Sequence, residues 1–178
     1  MKKIIAVFCI IFFITQQATF AEEGNTFWGS YQDILNSVVT VNEFTSIDGE
    51  FSHTSVDYEI IKADPELQEK ITLQLEKLKT VKVPEEVKHK LAFWINAYNF
   101  FTIVDVVSNY PITSMKKISW KSKHHEVEGT LYSLDNIEHN VIRPLADPRV
   151  HFAINCASVG CPSLKTEIFD GKIGRAHV

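Results

Sequence analysis

Cys156 and Cys161 stand five residues apart with Gly160 between them, and His151 precedes the first by five. A thiol activated by an imidazole is a nucleophile, so His151 with Cys156 or Cys161 is one candidate catalytic arrangement. In a compartment that oxidises thiols, the same two cysteines would instead close a disulfide that fixes the local turn, and Cys156–Cys161 is the expected bridge. A second cluster is Glu138, His139 and Arg143. On an α-helix His139 and Arg143 share a face, with Glu138 about 100° round from His139. The cluster reads either as acid-base chemistry through Glu138 or as a solvated, charged face. Asn96 and Asn99 sit one turn apart on the most apolar stretch of the chain. A buried amide costs about 2 kcal/mol or more unless it is paired, so these two must meet loop backbone or line a pocket. Read as a buried strand, residues 150–156 turn His151, Ala153 and Asn155 to one side and Val150, Phe152, Ile154 and Cys156 to the other. His151 and Asn155 then face the same space, and Cys156 points away from the imidazole. The candidate catalytic residues are His151, Cys156 and Glu138; the candidate binding set is Asn96, Asn99, Glu138, His139, Arg143, His151 and Asn155, expected to converge from three elements.

Several chemistries lack their spacing. There is no His-x-x-Glu-His or Cys-x-x-Cys, and His124 and His125 are adjacent, so on a strand they would point apart; no metal is expected. No glycine-rich phosphate loop and no Gly-x-Ser-x-Gly elbow occurs, which removes the familiar nucleotide and serine-hydrolase readings, and no cofactor is implied.

The elements that must carry these residues follow from periodicity and caps. Phe27, Trp28, Tyr31, Ile34, Leu35, Val38 and Val39 recur at helical spacing. Residues 40–54 carry Asn42, Asp48 and Gly49 and read as a loop with a short extended piece, and residues 56–61 as a strand. Asp64-Pro65 starts a helix with Leu67, Ile71, Leu75 and Leu78 as its stripe. Pro84 starts another that runs to Asn109, where Tyr110-Pro111 ends it; from Leu91 it is apolar on nearly every side, as a buried central helix is. Glu128-Gly129 turns a short hairpin between 125–127 and 130–132, and Ser133 caps a helix to about Arg143, stopped by Pro144. The whole is a mostly helical α+β domain with a few short strands.

The two ends belong to other stories. Lys2 and Lys3, an apolar run over residues 4–14 and the small residues Thr19 and Ala21 form a secretory signal, with cleavage expected after Ala21. Thr15, Gln16 and Gln17 interrupt the run well short of the about twenty apolar residues a span needs, and Cys9 lies inside it rather than just after it, so neither a membrane span nor a lipid anchor is expected. The last seven residues, Lys172-Ile173-Gly174-Arg175-Ala176-His177-Val178, look like a translated sequencing adapter, which makes native sequence stop near Gly171. Residues 22–171 are then the domain, 150 residues that can bury a sizeable core. Removing Lys2, Lys3, Lys172 and Arg175 from 18 basic residues leaves 14 against 22 acidic, a formal charge of minus 8 that repels phosphate backbones. A nucleic-acid partner is not expected, nor a membrane once the signal is gone.

Leu91-Ala92-Phe93-Trp94-Ile95-Asn96-Ala97-Tyr98-Asn99, Tyr110-Pro111, residues 133–139, Arg143, and the run from Asp147 through Cys161-Pro162 resemble the bacterial and plant "domain of unknown function 547" family, in its order and spacing, from roughly Tyr31 to Phe169. The resemblance implies a family without an established activity, and a fold whose further C-terminal helix this chain lacks. The expectation is therefore a secreted or periplasmic binding or structural module, braced by buried polar groups, with an unknown protein or small-molecule partner. The rival is a Cys/His or acid-base enzyme, a hydrolase or transferase of unknown substrate.

Overall fold

The computed structural model describes residues 26–47, 49–145, 147–158 and 160–171; the segments expected to be a signal and an adapter-derived tail lie outside the described residues. Helix α1, Gly29–Val38, buries Tyr31, Ile34, Leu35 and Val38 on one stripe. It runs directly into a two-stranded antiparallel ribbon, β1 Val39–Ser46 and β2 Gly49–Val56, with Phe44 opposite Phe51 and Gly49 at φ 130°, where a side chain would be strained. This ribbon replaces the loop expected over residues 40–54.

The strand expected over 56–61 is instead helix α2, Tyr58–Ala63. Its cap decides the matter: the Asp57 carboxylate accepts from the Ile60 N–H at 3.0 Å, which satisfies an orphan donor only if the chain turns helical there. Helix α3, Pro65–Thr80, starts as expected, with Asp64 accepting from the Glu66 and Leu67 N–H groups and Pro65 in the first turn. Leu67, Ile71 and Leu78 are buried along it against α1, Leu75 only partly.

Helix α4, Val87–Ser108, is the axis of the fold. Glu86 caps it by accepting from Lys88 and His89 N–H groups. From Leu91 to Val107 nearly every side chain is buried, with Ile95, Ala97, Phe100 and Phe101 fully so. The helix is long and apolar enough to cross a membrane by composition, yet 89% of its most apolar window is buried inside this protein, as in a soluble core helix. The cis peptide Tyr110-Pro111 follows it.

Beyond a 3-10 turn at Met115–Lys117, strands β3 His125–Val127 and β4 Thr130–Tyr132 form the expected hairpin, turned by Glu128 and Gly129 at positive φ. Its turn docks on the end of α3, where Glu128 and Gly129 N–H groups donate to the Leu78 and Lys79 carbonyls. Ser133 Oγ accepts from the Asn136 N–H and opens α5, Leu134–Asn136, which continues as a π-helical turn, Ile137–Ile142. Residues 150–156 are not the expected strand. Asp147 and Pro148 open a 3-10 turn, Pro148–Phe152, and the chain then runs irregularly to Gly171.

Candidate functional site

The polar side chains of α4 are taken up by the irregular C-terminal segment. Asn99 Nδ2 donates to the Ala153 carbonyl at 2.9 Å, and its Oδ1 accepts from the Asn155 N–H at 2.8 Å. Asn96 does the same one turn earlier, donating to the Phe169 carbonyl at 2.8 Å and accepting from the Phe169 N–H at 2.9 Å. Each amide thus supplies the donor-acceptor pair that a neighbouring strand would have offered, Asn99 to residues 153 and 155 and Asn96 to residue 169. Asn155 carries the network on: its Nδ2 donates to the Pro162 carbonyl and its Oδ1 accepts from the Ala157 N–H. The Cys156–Cys161 disulfide closes the same turn, with Cα atoms 5.9 Å apart.

Of the three elements expected to converge, two meet directly, through Asn99 and Asn155. The third reaches α4 by a residue not anticipated, Tyr98, whose hydroxyl donates to Glu138 Oε2 at 3.5 Å. Burial, then the charge and hydrogen bond of Glu138, push the Tyr98 phenol up well above its ordinary range. The π-helical turn sets the remaining partners. Its i to i+5 spacing, seen in the Arg143 N–H bonded to the Glu138 carbonyl, brings residues five apart together. Arg143 Nη2 therefore pairs with Glu138 Oε1 at 2.7 Å, rather than lining up with His139 as on an α-helix. His139 stands instead 3.8 Å from Asp135.

His151 does not join this group. With the strand gone, it sits exposed on the 3-10 turn beside Phe152, itself 76% exposed. Cys156 is held in the disulfide, so the His151–Cys156 pair is not assembled. A shallow groove of about 300 Å³ at the base of the ribbon, lined by Asp57, Tyr58, Glu59 and Tyr110 among others, contains none of the sequence-derived candidates.

One cluster escaped the sequence reading. His124 and His125 were expected to point apart, but only His125 lies within β3; His124 precedes it, free of strict alternation, and the two rings stand 4.0 Å apart. Both reach Asp105 on α4: His124 Nε2 lies 2.9 Å from Oδ1, and His125 Nε2 lies 3.2 Å from Oδ2. Burial pushes the Asp105 carboxyl up, but His125 and then His124, by hydrogen bond and charge, outweigh it and hold the group below the usual carboxylate range. The available signal was Asp105 itself, a carboxylate on an otherwise apolar helix that could be buried only with a partner.

Chemically, the asparagine network fixes backbone, the Tyr98–Glu138–Arg143 group could hold or move a proton, and Asp105, His124 and His125 present three donor atoms of metal-ligand type. No curated protein and no solved structure matches the chain. A family model described as "protein of unknown function, DUF547" matches residues 84–173, just over half of the 178-residue chain. The match begins at the start of α4, so the earlier helices and the ribbon lie outside it, although the resemblance had been expected from Tyr31. Within it fall Asn96, Asn99, Glu138, Arg143, Asn155 and both bridged cysteines, and the chain belongs to the DUF547 family.

Proposed function

We propose that this chain is an exported binding or scaffolding module, acting on a protein or small molecule outside the cytoplasm. The observation that carries this reading is the commitment of its reactive-looking groups to the chain itself. Both amides of α4 bond loop backbone at each end, and both thiols are spent in a disulfide, so the core site supports bracing rather than turnover. The disulfide and the signal-like N-terminus together support an oxidising compartment.

A second reading has its own support. Glu138 is only 21% exposed in its side chain, lies against a tyrosine and an arginine, and sits on a π-helical turn, a feature frequent at functional sites. An acid-base enzyme would use this carboxylate.

Two measurements test the proposal. Intact-mass analysis of protein recovered outside the cytoplasm should give a mature N-terminus at Glu22 and no thiol that alkylates without reduction; an uncleaved cytoplasmic chain with three free thiols, Cys9 included, would defeat the export reading. Variants Glu138→Gln and His151→Ala should then leave stability and the cellular phenotype of the parent intact. A variant that folds normally yet reproduces the null phenotype would transfer the case to the enzyme.

A further inference from the structure

We propose that Asp105, His124 and His125 form a binding site for zinc or a zinc-like divalent transition-metal ion, with the two Nε2 atoms and one carboxylate oxygen as ligands and a fourth position open to water. The donor atoms all lie within 4.8 Å of one another. His124 Nε2 lies 2.9 Å from Oδ1 and His125 Nε2 lies 3.2 Å from Oδ2 of the same carboxylate, so each ring has one oxygen close to the roughly 3.3 Å that separates two ligands of a tetrahedral ion with bonds of about 2.0–2.1 Å. A small outward movement of the rings would admit the ion.

The hydrogen-bond geometry of the His124 ring is the strongest pointer. Its Nδ1 lies 2.9 Å from the Ser122 carbonyl oxygen. A carbonyl carries no hydrogen, so Nδ1 must be the donor. In a neutral imidazole Nε2 is then bare, and a bare nitrogen aimed at a carboxylate oxygen repels it. A cation must resolve the conflict, either a second proton on His124 or a metal between the two atoms. Donation of the remote ring N–H to a backbone carbonyl is also the usual outer-sphere support of a metal-bound histidine, because it fixes the tautomer and aims the other nitrogen.

The supports are rigid. Asp105 projects from the buried helix α4. His125 is 2% exposed and stacks on Phe101, with centroids 4.2 Å apart and planes at 19°. The His124 N–H is tied to the Tyr132 carbonyl at 3.1 Å. The His124 side chain is 45% exposed, which gives an ion an entry path and leaves a coordination position facing solvent. Two imidazoles with one carboxylate suit zinc and its neighbours, whereas magnesium and calcium prefer oxygen throughout.

The test uses the untagged chain, freed of metal and titrated with zinc in a competition assay. The expected result is one zinc per chain. His124→Gln, at a half-exposed ring, should keep the fold by circular dichroism and weaken binding by more than about 100-fold, since loss of even an outer-sphere partner costs 10- to 100-fold. His151→Gln, at an exposed histidine outside the cluster, should change nothing. Histidine ¹⁵N resonances should show two rings bound through Nε2, and the cobalt complex should absorb with four-coordinate intensity. Absence of stoichiometric binding, equal affinity of His124→Gln, or a weakly absorbing six-coordinate cobalt spectrum would each overturn the site and leave His124 as a hydrogen-bonded partner of Asp105. Should His124→Gln not fold, the parent's nitrogen resonances and cobalt spectrum decide alone.

Discussion

A carboxamide can replace a strand because it presents one donor and one acceptor side by side, and Asn96 and Asn99 each do so for irregular backbone of the C-terminal segment. Truncating either one removes two hydrogen bonds and also orphans an N–H and a C=O in a part-buried setting. Asn96→Ala and Asn99→Ala should therefore each lower unfolding free energy by about 2–4 kcal/mol, while Asn42→Ala on the exposed ribbon should stay within about 0.5 kcal/mol. Urea denaturation reads all three, and equal small effects would mean that the amides do not brace the fold. Gln74 is the opposite case. It lies fully buried on the stripe of α3, and neither Oε1 nor Nε2 has a hydrogen-bond partner among the described residues. Gln74→Leu keeps the volume and removes the unpaired amide, so it should stabilise the chain by about 1–2 kcal/mol. A destabilised variant would show that the amide has a partner essential to the fold.

At the scale of elements, the helices were legible where a stripe and a cap agreed, as at Asp64-Pro65 for α3 and at the apolar run of α4. The β3–β4 hairpin was legible because Glu128-Gly129 sits where both turn residues need positive φ. The β1–β2 ribbon was not, since most of its residues face solvent on both sides and leave no alternation to read, although Asp48-Gly49 was a turn signal. Residues 150–156 differ for another reason: the sequence alternates, but one side chain of α4, Asn99, serves the backbone at Ala153 and Asn155, a pairing no local pattern encodes. The site was legible in the same uneven way. Asn96, Asn99 and Asn155 were found from polarity in apolar surroundings, whereas the Asp105 cluster joins residues 19 and 20 positions apart that only the fold brings together. The turn after Ala153 is held twice, by Asn155 and by the disulfide. A loop this short constrains the unfolded chain modestly, so reduction should cost roughly 2 kcal/mol. Hydrogen exchange should quicken on reduction around residues 155–162 while α4 remains protected. Global exchange at low denaturant would instead make the bridge a support of the entire domain.

For the molecule as a whole, three tyrosines on three helices make folding sensitive to alkali. Tyr31 on α1, Tyr58 on α2 and Tyr98 on α4 all keep their protons beyond the ordinary phenol range, chiefly because burial penalises the phenolate; Tyr58 is pushed up to about 12. The unfolded chain releases the same protons near the ordinary value of 10.0. Between the two values the folded state binds more protons, so its stability falls as pH rises, by about 1.4 kcal/mol per pH unit for each proton retained. The contribution is complete below pH 10, and for Tyr58 it is lost across the window from 10.0 to about 12. The slope steepens because the folded state retains three protons that the unfolded chain releases, each phenol adding its own share. Phenolate absorbance followed beside circular dichroism should show three of the five tyrosines ionising later than the ordinary value of 10.0, with Tyr58 the first of the three at about 12. Ionisation of all five near pH 10 with the helical spectrum intact would mean that α1, α2 and α4 do not pack as closely as their buried tyrosines require.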